Sequence, residues 1–416
     1  MEEELAKFNF PIEDKSENII QVIGVGGGGG NAVQHMWEEG VKNVEFMAVN
    51  TDSQVLASNL IPNKILLGAE GLGTGGNPEK GEKIAEEYID EIKSIFNPET
   101  KMVFITSGMG GGTGTGVSPV IARVAKEMGI LTIGVVTLPF KMEGKKRISV
   151  ALKGMEKLRG CVDSLIVINN EHLRMSNLFT DMTWEEGMKK ADEVLTIVTK
   201  TIAEIITVRG YVNRDFNDVC AVMRDSGTAV VSVAKASGEK RLFKAMQEAL
   251  NYPLLPSVEK KQVKRLLYIV YNGEKNPARI QELTDINKFM EGFSEDIEVL
   301  WGHYPDETLD DEIKVSIIAT GFDDRTVSTA EKKDEHMHLG KLYEEYYGRL
   351  GSADTNTDTI TNNVPQQPKV EERTSEESSC SAEEFDMTEE DKDAEPEQKG
   401  SVWSNMVKMM TVFMSE

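Results

Sequence analysis

Short apolar runs alternate with stretches of helical periodicity through the first half of the chain. Ile19–Val25, Val44–Asn50, Lys101–Ser107, Leu131–Thr137 and Ser164–Asn169 read as strands. The segments between them carry helix-like patterns. This alternation predicts an α/β, Rossmann-like domain on a parallel sheet over residues 19–183, preceded by a short arm of residues 1–18. Asn77–Pro78–Glu79 predicts a helix start, a capping residue followed by Pro at the first helical position, and Ile84, Tyr88, Ile92 and Ile95 then mark one face. A further helix is expected from Val117 to Met128, with Ser118 and Pro119 in its first turn, and another from Ala32.

One long helical pattern runs from Trp184 to Val208, with Met188, Ala191, Leu195, Val198, Ile202, Ile205 and Ile206 at spacings of three and four. Gly210 follows as a C-terminal stop, so residues 184–210 are expected to form a central helix. Residues 211–323 read as a second α+β domain, with strands at Val263–Tyr271, Asp296–Gly302 and Glu312–Thr320 and a helix at Pro277–Glu291. Helix-like residues recur at Ala330–Leu350, but apolar residues thin out after Phe322, and residues 324–400 are expected to be an acidic, disordered linker. Residues 401–416 place Trp403, Met406, Val407, Met410 and Met414 on one helical face, an amphipathic peptide suited to capturing a partner.

Composition narrows the possibilities. The net charge of −24 argues against binding nucleic acid through electrostatics, and it is unevenly spread: residues 352–400 hold 15 acidic against 4 basic side chains. No apolar run is long enough to cross a bilayer, the N-terminus carries no secretory pattern, and Cys161, Cys220 and Cys380 are too far apart for a disulfide framework or zinc knuckle. A reducing cytoplasm is the expected compartment.

The chemistry is concentrated in glycine loops. Gly110–Gly111–Gly112–Thr113–Gly114–Thr115–Gly116 lies between a strand and a helix. Glycines there let backbone N–H groups approach an anion, the threonines add hydroxyls, and the helix supplies the positive end of its dipole. The first strand runs into a second loop, Gly24–Val25–Gly26–Gly27–Gly28–Gly29–Gly30–Asn31, whose Gly24, Gly26 and Gly29 satisfy a dinucleotide fingerprint with Asp52 at ribose distance. That fingerprint alone would indicate an NAD-dependent oxidoreductase. A second phosphate loop argues instead for one triphosphate wrapped by both, and the absence of a Lys–Ser/Thr ending disfavours a P-loop enzyme.

Three more segments fall in order: Asn50–Thr51–Asp52, Gly71–Leu72–Gly73–Thr74–Gly75–Gly76–Asn77–Pro78, and Phe140–Lys141–Met142–Glu143–Gly144–Lys145–Lys146–Arg147. Together with the two loops, over residues 19–322, the chain resembles the tubulin/FtsZ family. The resemblance implies a GTP-dependent cytoskeletal filament of bacterial cell division. It implies that Gly27, Gly28, Gly29, Gly30 and Asn31, with Gly110, Gly111, Gly112, Thr113, Gly114 and Thr115, hold phosphates, and that Asn50, Asp52 and Gly75 line the same site. Glu143 and Arg147 would contact ribose or phosphate, Asn170 the sugar and base, and Asp192 the guanine N1–H and exocyclic amine. Met188 stands where the family commonly stacks Phe on the base; its soft sulfur can cover an aromatic face. Mg2+ would be held mainly by the phosphates, with no metal ligand from the protein. Glu143 and Arg147, four residues apart, also suit an ordinary helix ion pair.

Asn213–Arg214–Asp215–Phe216–Asn217–Asp218–Val219 resembles the family's catalytic loop, in which Asn213, Asp215 and Asp218 would orient and activate water for attack on a γ-phosphate. Acidic helix caps are the competing reading of the two Asp residues. Asp192 and Arg209 are separated by about 25 Å of helix, so Asp215 and Asp218 are expected to act on a nucleotide held by another subunit. A head-to-tail contact of that kind builds an open filament. The expected partners are therefore further copies of the chain, and membrane-anchor and regulator proteins reached through residues 401–416, although that peptide lacks the Pro and Arg usual in the family. The expected location is a midcell ring at the inner face of the membrane. A non-polymerising nucleotide-binding regulator is the remaining alternative.

Overall fold

The computed structural model describes residues 18–175, 183–207, 212, 215–250, 262–273, 275–321 and 335–348. Ten strands form one sheet in the order β3-β2-β1-β4-β5-β6-β7-β10-β8-β9. Its first six strands are β1 Ile20–Val25, β2 Glu45–Asn50, β3 Lys64–Leu66, β4 Met102–Gly108, β5 Leu131–Leu138 and β6 Ser164–Asn169, all parallel. The other four are β7 Gly227–Ala236, β8 Arg265–Asn272, β9 Glu298–Pro305 and β10 Ile313–Thr320; β10 runs antiparallel to both β7 and β8. The two parts meet where Ser164 and Leu165 of β6 pair with Gly227 and Thr228 of β7.

The helices between the strands are α1 Gly26–Glu38, α2 Ser53–Ser58, α3 Pro78–Glu87, α4 Ile89–Ser94, α5 Gly112–Glu127, α6 Lys145–Arg159 and α7 Asn170–Met175. They are followed by α8 Trp184–Thr207, α9 Phe216–Met223, α10 Arg241–Leu250, α11 Leu283–Met290 and α12 Glu335–Tyr343. Strand periodicity sends alternate β1 side chains to opposite faces. Ile20 and Val22 join a core with α1 and α8, while Ile23 and Val25 join one with α5 and α6. Parallel strands covered on both faces need continuous apolar sequence, which is why β1, β5 and β6 are buried throughout. Val194, Leu195, Val198, Ile202 and Ile205 of α8 share one core with both parts of the sheet, from Ile166 of β6 to Ile269 of β8.

Several expectations change. Helix α1 begins at Gly26 rather than Ala32, and α5 at Gly112 rather than Val117, so most of both glycine tracts is helical. Ser118 and Pro119 lie in the second turn of α5, where the Ser118 hydroxyl donates to the Gly114 carbonyl at 2.7 Å. The expected continuous helix through Tyr88 breaks there (φ −109°, ψ 33°) into α3 and α4. Of the helix expected at Pro277–Glu291, a 3-10 turn forms at Ile280–Glu282, followed by α11. Strands β3 and β7 were not anticipated. The expected linker of 324–400 does not hold over residues 335–348, where α12 and a π-helical turn at Glu344–Gly348 bury Leu342, Tyr346 and Tyr347 against the core under α6. The remaining linker residues and the 401–416 peptide lie outside the described residues.

Candidate functional site

Strand order reverses between β1 and β4: from β1 the chain proceeds to β2 on one side, and from β4 to β5 on the other. In an open parallel sheet this reversal opens a crevice beyond the carboxyl ends of the strands. Two helices begin there. Helix α1 follows β1 directly, and α5 follows β4 after a turn at Gly108–Gly111. They start close together, since a methyl on Gly26 would sit 2.9 Å from the Gly114 nitrogen. Neither helix has a side-chain cap, and neither has an acidic residue in its first turn. Two sets of unsatisfied N–H groups and two positive dipole ends therefore converge on the crevice. By contrast, Asp52 caps α2, Asn77 caps α3 and Asp215 caps α9.

The glycines divide into two groups. A methyl on Gly29 would lie 2.2 Å from the Thr106 carbonyl oxygen, one on Gly112 2.0 Å from the Thr74 hydroxyl, and one on Gly114 2.7 Å from the Gly108 carbonyl oxygen. Those three positions are small because neighbouring segments press on them. At Gly27, Gly75 and Gly111 a methyl would meet nothing, and at Gly28 it would make only an ordinary contact with Gly108. Gly27, Gly28 and Asn31 are exposed, and Gly30 packs beside Asn59.

The hydroxyls also differ. Thr113 is half-buried, with its oxygen 2.7 Å from that of Thr51. Thr115 departs from its expected outward role: it is buried, and its hydroxyl accepts the Gly110 N–H at 2.9 Å, holding the turn in shape. Asn50 is buried and its side-chain oxygen accepts from the N–H groups of Thr51 and Asp52. Asp52 uses one carboxylate oxygen to accept from Gln54 and Val55 as the α2 cap.

The loop after β5 brings Glu143 and Arg147 to the same mouth. Glu143 accepts the Phe140 N–H at 2.8 Å and pairs with Arg147 at 3.1 Å, while the Arg147 stem lies against Gly110. After β6, Asn170 is buried, and its side-chain oxygen has no hydrogen-bond partner among the described residues. Such an oxygen costs about 1–3 kcal/mol unless a ligand supplies a donor. Asp192 sits on α8, which packs against α1. Burial pushes its pKa up to about 6, and nearby His35 works in the opposite direction. Met188 lies one turn earlier on α8; its side chain is outside the described residues.

Asp215 and Asp218 are on the far side of α8. Their carboxylates form a reciprocal capping box, Asp215 accepting the Asp218 N–H at 2.9 Å and Asp218 accepting that of Asp215 at 3.1 Å. Asn213 and Arg214 lie outside the described residues. Preceding them, Val212 is held by a bridge to His303 at the end of β9. Sequence reasoning named Thr51 only as part of the Asn50–Thr51–Asp52 segment and did not single out His35 or Glu171. The last is buried and accepts the Lys141 N–H at 2.9 Å; its signal was a Glu directly after two Asn residues closing a strand. No cluster of three or more His, Cys, Asp or Glu suited to a metal occurs among the described residues, and no described helix is long and apolar enough to cross a membrane.

Comparison with known proteins matches this arrangement to a family. Residues 19–178 match the Tubulin/FtsZ family GTPase domain, and residues 227–323 the C-terminal domain of the FtsZ family. The cell division protein FtsZ of Porphyromonas gingivalis is 42% identical over 327 residues, covering 78% of this chain and 71% of that protein. The chain belongs to the tubulin/FtsZ family. It is thereby a cytoskeletal GTPase of cell division; the fingerprint at Gly24 lies within the matched GTPase domain, and an oxidoreductase is not supported. A non-polymerising regulator gains no support. Among solved structures, an empty FtsZ dimer from M. jannaschii has a TM-score of 0.67 at 39% identity, covering 74% of this chain and 90% of that one. GDP-bound monomeric CetZ1 from Haloferax volcanii shares the tubulin/FtsZ fold, with a TM-score of 0.64 at 22% identity over 78% of this chain and 99% of that one.

Proposed function

We propose that this GTPase binds its nucleotide in the β1/β4 crevice and hydrolyses it only where two copies stack head to tail. The observation that carries this reading is α8, a 24-residue helix with Asp192 near its start and the Asp215 loop beyond its end. From Asp192 to Thr207 alone the rise is about 22 Å, which is too far for Asp215 to reach a nucleotide whose base is held by Asp192 in the same copy. The exposed start of α1 (Gly27, Gly28, Asn31) and the Gly110–Thr113 turn receive the triphosphate, with Arg147 and Glu143 at the ribose. Asn170 and Asp192 accept donors from sugar and guanine, and Met188 covers the base. Apart from Arg147 at the rim, the donors nearest the phosphate positions are backbone N–H groups and neutral hydroxyls. If Mg2+ accompanies the nucleotide, the Thr51 and Thr113 hydroxyls would be the protein groups available to it, and the ion would neutralise phosphate charge.

Asn213, Asp215 and Asp218 of the adjoining copy orient a water. One carboxylate takes its proton as the oxygen attacks the γ-phosphorus and GDP departs. FtsZ of M. jannaschii occurs as a dimer, and under this proposal self-association extends to this chain. The location would be the cytoplasmic division ring at midcell, with residues 401–416 reaching anchor and regulator proteins. Light scattering and phosphate release after GTP addition test the reading. Asp215→Asn keeps the cap acceptor that Asp215→Ala would remove, so this variant should fold, bind GTP and scatter light while its turnover collapses. Normal turnover in Asp215→Asn would remove the catalytic assignment, and no scattering from the wild type would remove the filament.

A further inference from the structure

Residues 335–348 come after both matched domains in sequence, yet they pack on the nucleotide-binding part of the fold. Tyr347 is 1% exposed, and its hydroxyl donates to the Pro139 carbonyl at 2.7 Å, at the root of the loop that carries Glu143. The Tyr346 carbonyl accepts from the Asn169 side chain at 2.5 Å. The other end of that same side chain accepts the Glu171 N–H at 2.9 Å, which fixes the start of α7 next to Asn170. Glu171 in turn accepts the Lys141 N–H. Pro139–Lys141, Asn169 and Glu171 thus form one hydrogen-bonded unit fastened from outside by two consecutive residues. Tyr343 stacks on Tyr347 with ring centres 5.3 Å apart, and the Arg159 guanidinium donates to the Tyr346 hydroxyl at 3.2 Å. Burial, with the Glu143 and Glu171 charges nearby, raises the Tyr347 pKa, so its hydroxyl remains a donor at any working pH.

We propose that residues 335–348 are a strap that positions the ribose and base side of the GTP pocket, with Tyr347 and Asn169 as positioning residues. This rests on the nucleotide site described above. Neither loop is held in this way by its own flanking sequence. The Phe140 N–H is bonded to Glu143 and the Lys141 N–H to Glu171, whereas the Pro139 carbonyl and the Asn169 amide turn away from the crevice toward the strap. Removing the strap's bonds leaves the phosphate cradle at Gly27 and Gly111 intact, and leaves Asp215 and Asp218 untouched at the far end of α8. The effect is therefore on nucleotide affinity and not on the chemical step.

The test uses the full-length chain with Tyr347→Phe, which keeps the buried ring and removes only the donor, and Asn169→Ala. His338→Ala serves as a control that loosens the strap's contact with Glu156 and touches no loop bond. Tyr347→Phe should raise KM for GTP about five-fold, the loss of one buried hydrogen bond, with kcat at saturating GTP unchanged. Asn169→Ala should do the same or more, and His338→Ala should leave both parameters alone. GTP should slow hydrogen exchange of amides in 335–348, since coupling between two sites is reciprocal. A KM for Tyr347→Phe equal to wild type overturns the strap, as does exchange in 335–348 indifferent to GTP. Failure of the wild type itself to bind GTP would instead overturn the site assignment. If Asn169→Ala fails to fold, Tyr347→Phe and the exchange measurement decide.

Discussion

In the proposed site, Asp192 would combine a binding role with a burial penalty. With its pKa raised from 3.8 to about 6, the folded chain holds a proton between those values that the unfolded chain has lost. The stability contributed by this group therefore falls as pH rises from about 4 to about 6, by up to about 3 kcal/mol. Accepting the two guanine donors requires the ionised form, so GTP affinity should run the other way and weaken about four-fold between pH 7 and pH 5.5. Asp192→Asn should melt at a higher temperature than wild type at pH 7 without nucleotide, and bind GTP about ten-fold or more weakly. Calorimetric melting and a nucleotide-binding titration measure both effects. A variant with both stability and affinity unchanged would place Asp192 on a solvated face. The family resemblance had identified this residue but not its environment, because the burial that raises its pKa comes from α8 packing on α1, more than 150 residues earlier. The acids at 215 and 218 carried two readings in the sequence, a catalytic pair and a helix cap. The structure realises the cap, in which Asp215 uses one carboxylate oxygen and Asp218 one.

Among elements, the glycine tracts were legible as an anion site but not as helices. Glycine is about 1 kcal/mol poorer than alanine in a helix interior, so a run of five reads as loop. The decisive forces are tertiary. Helices α3 and α5 approach closely enough that a methyl on Gly116 would lie 2.1 Å from the Pro78 carbonyl oxygen, and one on Gly81 2.8 Å from that of Gly112. Gly116→Ala should therefore lower the melting temperature by several degrees, whereas Gly27→Ala, with open space around it, should leave stability equal or slightly improved while weakening GTP binding. Equal stability losses in the two variants would contradict this division. The helix start at Asn77–Pro78 was readable because capping is local: the Asn77 side chain accepts from Glu79 and Lys80 as expected. Strand β7 was not anticipated, although Gly227–Ala236 carries three Val residues among three Ala; its burial comes from lying between β6 and β10. Strand β3, only three residues long, exists through pairing with β2.

At the scale of the molecule, α8 runs from near Asp192 to the Asp215 loop, and a complementation experiment addresses the consequence for the proposed site. Under the proposed mechanism Asp215→Asn should bind GTP without hydrolysing it, and Asp192→Ala should bind poorly but still present Asp215. An equimolar mixture should release phosphate faster than either alone, because one copy's nucleotide meets the other's carboxylates. A mixture no faster than the mean of its parts would mean that each copy is self-sufficient. The sequence by itself determined five of the six parallel strands of the first domain, the long central helix and, through the resemblance, the family and most candidate site residues. The elements follow from periodicity, capping and glycine spacing, which act over a few residues, whereas the family and the candidate site residues beyond the glycine loops follow from the resemblance of several motifs in order. Only the tertiary structure decided which glycines face open space and which face a neighbouring backbone, and that Thr115 turns inward. It alone decided that the Asn170 oxygen is left without a partner among the described residues, and that residues 335–348 return to the pocket they follow by so many positions. Those outcomes depend on contacts between segments far apart in the chain, and no local pattern encodes the distance at which two such backbones come to rest.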